Sequence, residues 1–82
     1  MSFQQAVDRA NSFRGKKELT NDQLLQLYAH FKQGSVGQNT TPKPGILDFK
    51  GKAKWEAWTA LGHMPQMAAQ SRYVQLVQQY FG

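Results

Sequence analysis

The sequence predicts an all-α domain, and three observations carry that prediction. Apolar residues recur at helical spacing in four separate segments, no run alternates strictly as a half-buried strand does, and capping residues or glycines punctuate the segment ends. In the first segment Phe3, Ala6, Val7, Ala10 and Phe13 form one narrow helical face that stops at Gly15. Lys16, Lys17 and Glu18 make a polar connector. The second segment opens on Thr20-Asn21-Asp22-Gln23, a capping box in which the threonine hydroxyl and the glutamine amide each satisfy an orphan backbone N–H. Leu24, Leu25, Leu27, Tyr28 and Phe31 then spread over two stripes, and Gly34 with Gly37 ends the helix.

Residues 38–47 hold Pro-Lys-Pro-Gly and lack periodicity, so they form a long connection that is expected either to be functional or to pack across the bundle with Ile46, Leu47 and Phe49 as its anchors. Asp48 is the N-cap of a third helix that carries Trp55, Trp58 and Leu61 and closes at Gly62. Both tryptophans read as core. The fourth helix begins at Pro65 and runs through Ala69, Tyr73, Leu76, Val77 and Tyr80.

Eighty-two residues amount to a single domain, 1–82, that buries roughly 60 to 65% of the surface of its unfolded chain. Ten Lys and Arg against five Asp and Glu give a net charge of +5, which favours anionic partners. With no cysteine there is no thiolate metal site or thiol nucleophile, and His30 and His63 are too far apart in sequence to make a His-x-x-x-His pair. The five acids are dispersed, three of them at or near helix starts where capping accounts for them, so neither a metal nor acid–base catalysis by a carboxylate pair is indicated. Lys50-Gly51-Lys52-Ala53-Lys54 lacks the spacing of a phosphate loop. No segment reaches the ~20 apolar residues of a membrane span, and the first residues do not have the pattern of a signal peptide, so the chain is expected in the cytoplasm unless a partner carries it elsewhere.

What remains is a basic and aromatic constellation. Lys43, Lys50, Lys52 and Lys54 share a stretch with one acid, Asp48. A solvated basic helix start is the ordinary reading of such a cluster. The position adds to it: lysines near a helix N-terminus oppose the macrodipole by a few tenths of a kcal/mol each, and a phosphate there would gain from dipole, free N–H groups and ammonium together. Tyr28 and Lys32, one turn apart, can both donate to one phosphate, and Phe31 offers a stacking surface beside them, although core packing is the commoner role of such aromatics.

At these residues the chain resembles the acyl-CoA-binding proteins. Leu27-Tyr28-Ala29-His30-Phe31-Lys32-Gln33-Gly34-Ser35-Val36-Gly37 is similar to the second-helix motif of that family, and the stretch from Pro44 to Trp58 to its second signature. Ala69 with Arg72-Tyr73-Val74 is similar to its fourth-helix pattern, so that the likeness runs from Phe3 to about Val77. The resemblance implies a four-helix up-down-down-up bundle that binds long-chain acyl-CoA esters, with free CoA held weakly, and that carries and pools them without chemical transformation. It implies that Tyr28, Lys32 and Lys54 hold the 3′-phosphate, that Phe31 and Tyr28 flank the adenine, that Tyr73 contacts the nucleotide and that Lys50 lies near the head group. Leu24, Leu25, Ile46, Leu47 and Phe49 are the candidates for the walls of the acyl groove. No cofactor is implied. The implied partners are enzymes that make or consume acyl-CoA, the protein being a monomer.

The chain departs from the family in having Phe31 for the commoner tyrosine, Gly34-Ser35 for an Ala-Thr pair that would hold the helix end more firmly, and a first connection about two residues longer. No first-loop ligand is therefore transferred. Two other classes fit the composition: a nucleic-acid module with Lys50 to Lys54 opening a recognition helix, which lacks the Arg and Asn set suited to base edges, and a protein-interaction module or transient membrane contact using the uncharged last turn at Tyr80 and Phe81.

Overall fold

The computed structural model describes residues 1–13 and 15–82. Four helices, α1 (Phe3–Ser12), α2 (Asn21–Ser35), α3 (Phe49–Thr59) and α4 (Gln66–Phe81), account for the regular structure, with no strand among the described residues.

Local chemistry starts three of them. Thr20 accepts from the Gln23 N–H at 3.1 Å while the Gln23 amide oxygen accepts from the Thr20 N–H at 2.9 Å, the capping box its sequence predicts. Ser2 and Gln5 make the same reciprocal pair at the head of α1. Asp48 caps α3 by accepting from the Gly51 N–H at 3.0 Å. Helix ends differ in detail from the expectation. α1 ends at Ser12 and α3 at Thr59, each a few residues before the left-handed Gly15 and Gly62 that turn the chain. α2 continues through Gly34 and gives way at Val36 and the left-handed Gly37. Gly34 is a site of close packing. It is buried where α4 crosses, and a Cβ there would stand 3.0 Å from Gln70 Cγ and 3.3 Å from Phe3 Cζ, so the missing methyl sets the closeness of the helices.

Side-chain pairings give the topology. Phe3 meets Tyr73 with ring centres 5.4 Å apart and Phe13 stacks on Phe81 at 5.1 Å, so α1 and α4 run the same way. Phe31 meets Tyr73 at 6.1 Å and Gln70 donates to the Gly34 carbonyl at 2.9 Å, so α2 runs against α4. Lys54 lies over Tyr28 and Lys32 over Trp58, so α2 and α3 are parallel. The order is up, down, down, up, as the resemblance implies.

The core gathers Ala6, Leu27, Tyr73, Leu76 and Val77 from α1, α2 and α4, walled by half-buried Phe3, Val7, Leu19, Phe31 and Phe81. Fully buried Gln33 fastens the turn before α4, its amide donating to the Gly62 carbonyl at 3.1 Å and the Met64 carbonyl at 2.8 Å. Two groups from elsewhere serve the carbonyl end of α4, which has no basic residue in its last turn. The Arg9 guanidinium donates to the Phe81 carbonyl at 3.4 Å and the Lys17 ammonium to that of Tyr80.

The long connection is anchored differently from the expectation. Ile46, Leu47 and Phe49 stay in solvent. A polar clasp replaces them: Asn39 donates to the Thr59 hydroxyl at 2.8 Å and the Trp55 carbonyl at 3.4 Å and accepts from Thr41, while the Trp55 indole donates to the Thr41 carbonyl at 2.9 Å. Most of these bonds lie at the surface, where the loop's polar side chains satisfy its own backbone and that of α3. Trp55, expected in the core, is accordingly half-buried, and only Trp58 is fully enclosed.

The α3 cap and Gly51 are mutually dependent, because a Cβ on Gly51 would stand 2.7 Å from Asp48 Cγ. Asp48→Ala is expected to cost about 1 kcal/mol in urea denaturation, and the same change in a Gly51→Ala background should cost much less, since the added methyl has already displaced the carboxylate. Equal costs in both backgrounds would show that the two positions act independently.

Candidate functional site

Two hollows open on the helical faces, and they share one residue. The lower, about 250 Å³, lies between α2 and α3 and is lined by Tyr28, Lys32, Thr41, Pro42, Pro44, Gly51, Lys54, Trp55 and Trp58. The upper, about 380 Å³, is enclosed by α1, α2, α4 and the first connection, and Leu24, Leu27, Phe31, Tyr73, Phe81 and Lys17 are among its lining. Tyr28 borders both.

Parallel packing of α2 and α3 makes the lower hollow basic. One turn separates Tyr28 from Lys32 and another separates Lys54 from Trp58, so the two pairs come into register across the helices. The Lys54 ammonium lies 5.3 Å from the centre of the Tyr28 ring and the Lys32 ammonium 5.0 Å from that of Trp58. Each aromatic face holds a cation without neutralising it. Among the described residues no carboxylate lines the hollow: Asp48 accepts from the Gly51 N–H, and Glu56 lies 4.0 Å from the Lys52 ammonium. The result is a pair of uncompensated ammonium groups and a phenol around one cavity, a donor set suited to a phosphoryl group.

Apolar and aromatic side chains make up most of the lining of the upper hollow, with Asn11 and Lys17 among them. Phe31 packs on Phe3 at 6.2 Å and on Tyr73 at 6.1 Å, which fixes its ring at the cavity wall. Burial pushes the Tyr73 phenol above its ordinary value. A flat base and an alkyl chain both suit such a lining.

The structure thus brings Tyr28, Lys32 and Lys54 together in one cavity and Tyr28, Phe31, Tyr73 and Leu24 in the other. Lys50, Leu25, Ile46, Leu47 and Phe49 line neither: Leu25 is half-buried and the other four are exposed. Sequence reasoning left Lys17 unassigned. It lines the upper hollow, lies 5.9 Å over the Phe81 ring and brings a third cation to the site. The Lys16-Lys17 doublet was visible, but only the folded connection shows that Lys17 lines the hollow while Lys16 does not. Thr41, Pro42 and Pro44 were likewise unforeseen as walls of the lower hollow, and the Asn39 clasp places them there.

No helix is long and apolar enough to cross a membrane, and no group of three or more metal-ligating side chains forms among the described residues.

Comparison with known proteins agrees with this geometry. Residues 1–77 match the family described as Acyl CoA binding protein. The chain is 48% identical over 79 residues to acyl-CoA-binding protein homolog 1 of Caenorhabditis elegans, which spans 96% of this chain and 90% of the relative. It is 49% identical over 76 residues to the acyl-CoA-binding protein homolog of Drosophila melanogaster, covering 93% and 86% of the two chains. The crystal structure of Oryza sativa acyl-CoA-binding protein 2 superposes with a TM-score of 0.88 at 32% identity, over 95% of this chain and 84% of that one. A four-helix bundle of this topology, with such a match over nearly its whole length, identifies the chain as a member of the acyl-CoA-binding protein family.

Proposed function

We propose that this protein binds acyl-CoA thioesters in the two hollows and carries them, unchanged, between the enzymes that make and consume them. Tyr28, Lys32 and Lys54 take the 3′-phosphate in the lower hollow, Phe31 and Tyr28 flank the adenine, and Tyr73 with Lys17 meets the nucleotide from the upper one. One observation carries this reading: ammonium groups from two parallel helices and the phenol between them line a single cavity that holds no carboxylate. Lys50, exposed at the start of α3, adds longer-range attraction for the head group.

Leu24 is the acyl-chain contact best supported, since it lines the upper hollow beside Leu27. Each buried methylene contributes about 0.8 kcal/mol, so affinity rises with chain length, and free CoA, which lacks the tail, binds weakly. The anionic head makes binding weaken as salt rises.

Carriage without chemistry rests on membership of a family of binding proteins. A nucleic-acid role finds no support in the family match or in the relatives and solved structures that the chain resembles. A single domain, 1–82, acting as a cytoplasmic monomer completes the proposal.

Tyr28→Phe tests it most finely, because only the hydroxyl is lost. The variant is expected to bind acyl-CoA about tenfold more weakly, the usual effect of removing a hydrogen bond to a charged group, with its folding stability unchanged. A calorimetric titration superimposable on that of the parent would reduce Tyr28 to a packing residue.

A further inference from the structure

Ile46, Leu47 and Phe49 are 76%, 85% and 74% exposed, and no other large apolar side chains so open to solvent lie so close together in the chain among the described residues. Scattered exposed apolar residues are ordinary, but three within four positions form a patch. The patch is held on a defined turn. The Asp48 N–H donates to the Gly45 carbonyl at 3.0 Å, and the Asp48 side chain accepts from the Gly51 N–H at 3.0 Å. The one acid of this stretch is thereby drawn onto the head of α3.

Lys43 and Lys50 flank the patch and make no ion pair among the described residues, whereas Lys52 is engaged by Glu56. An apolar tip between unpaired ammonium groups is complementary to a surface that is apolar beneath and anionic above. We propose that Ile46, Leu47 and Phe49, together with Lys43 and Lys50, form a docking surface for an anionic lipid bilayer. The apolar side chains enter the boundary between headgroups and acyl chains while the lysines meet lipid phosphates. A bilayer needs no matching shape.

The last turn of α4, the alternative site for such contact, is already engaged: Phe81 stacks on Phe13 at 5.1 Å and Tyr80 and Phe81 are half-buried. Pro44 and Gly51, which bracket the exposed turn, line the lower hollow. Docking by this turn therefore sets the mouth of that hollow at the lipid surface.

Sedimentation with vesicles tests the proposal. The parent is expected to bind phosphatidylcholine vesicles containing phosphatidylserine at least about tenfold more strongly than vesicles of phosphatidylcholine alone. Replacing Ile46, Leu47 and Phe49 together by serine should weaken binding about tenfold or more, and Lys43→Gln with Lys50→Gln should remove the preference for the anionic vesicles. The absence of cysteine allows a second readout. An environment-sensitive dye on Leu47→Cys should shift to the blue on anionic vesicles, and the same dye on Met67→Cys should not. A parent that fails to sediment with anionic vesicles, a serine variant that binds as the parent does, a lysine variant that keeps its preference, or a silent dye at position 47 would overturn the assignment. Undiminished binding by the serine variant would also leave the patch free for a protein partner.

Discussion

Replacing Lys54 by alanine should weaken acyl-CoA binding about a hundredfold, close to 3 kcal/mol, within the range found when one member of a desolvated charge pair is removed. The expectation follows from the lower hollow. Its cationic rim consists of Lys32 and Lys54, and no carboxylate there can reorganise to offset a lost ammonium. Lys54 is exposed in the free protein, and its contact with the Tyr28 ring contributes only about 0.5 to 1 kcal/mol to folding. Thermal stability should therefore change little while affinity collapses. Lys32→Ala should behave alike in binding. Calorimetry with an acyl thioester of dephospho-CoA, which lacks the 3′-phosphate, isolates the cause: parent and variant should then bind almost equally. A full hundredfold penalty against that ligand would move Lys54 away from the phosphate.

Trp58→Ala should have the largest effect on folding, about 4 kcal/mol by the usual cost of deleting a buried aromatic side chain. Trp58 is 4% exposed, its indole donates to the Gly37 carbonyl at 2.9 Å, and Lys32 rests over its ring. Folded domains are stabilised by only about 0.05 to 0.15 kcal/mol per residue, so for a chain of 82 residues this loss removes a large part of the total. Urea denaturation should show the midpoint falling far more than for Trp55→Ala, whose indole is half-buried and bonded to the loop at Thr41. Equal losses from the two substitutions would contradict the distinction between a core tryptophan and a loop tryptophan.

Features governed by neighbours in sequence were the legible ones. The Thr20 box and the Asp48 cap needed only side-chain chemistry at a spacing of three, and both formed. The Ser2-x-x-Gln5 box carried the same signal and could have been read the same way. Tyr28 with Lys32 was visible as an adjacent pair on one helix, but its meeting with Lys54 depends on the parallel register of α2 and α3, which no local pattern contains. The resemblance to a known family supplied that register in advance. Ile46, Leu47 and Phe49 were misread as anchors because hydrophobicity alone does not say which way an apolar residue in a loop will face. The Asn39 clasp that does anchor the loop uses residue types common in any turn.

The clamping of the α4 carbonyl end by Arg9 and Lys17 ties opposite extremities of the polypeptide into one cooperative element. Fraying of the first helix withdraws the guanidinium that the last turn relies on, and melting of that turn strips the early segment of its seat. Amide-exchange protection in α1 should therefore rise and fall with that of the end of α4.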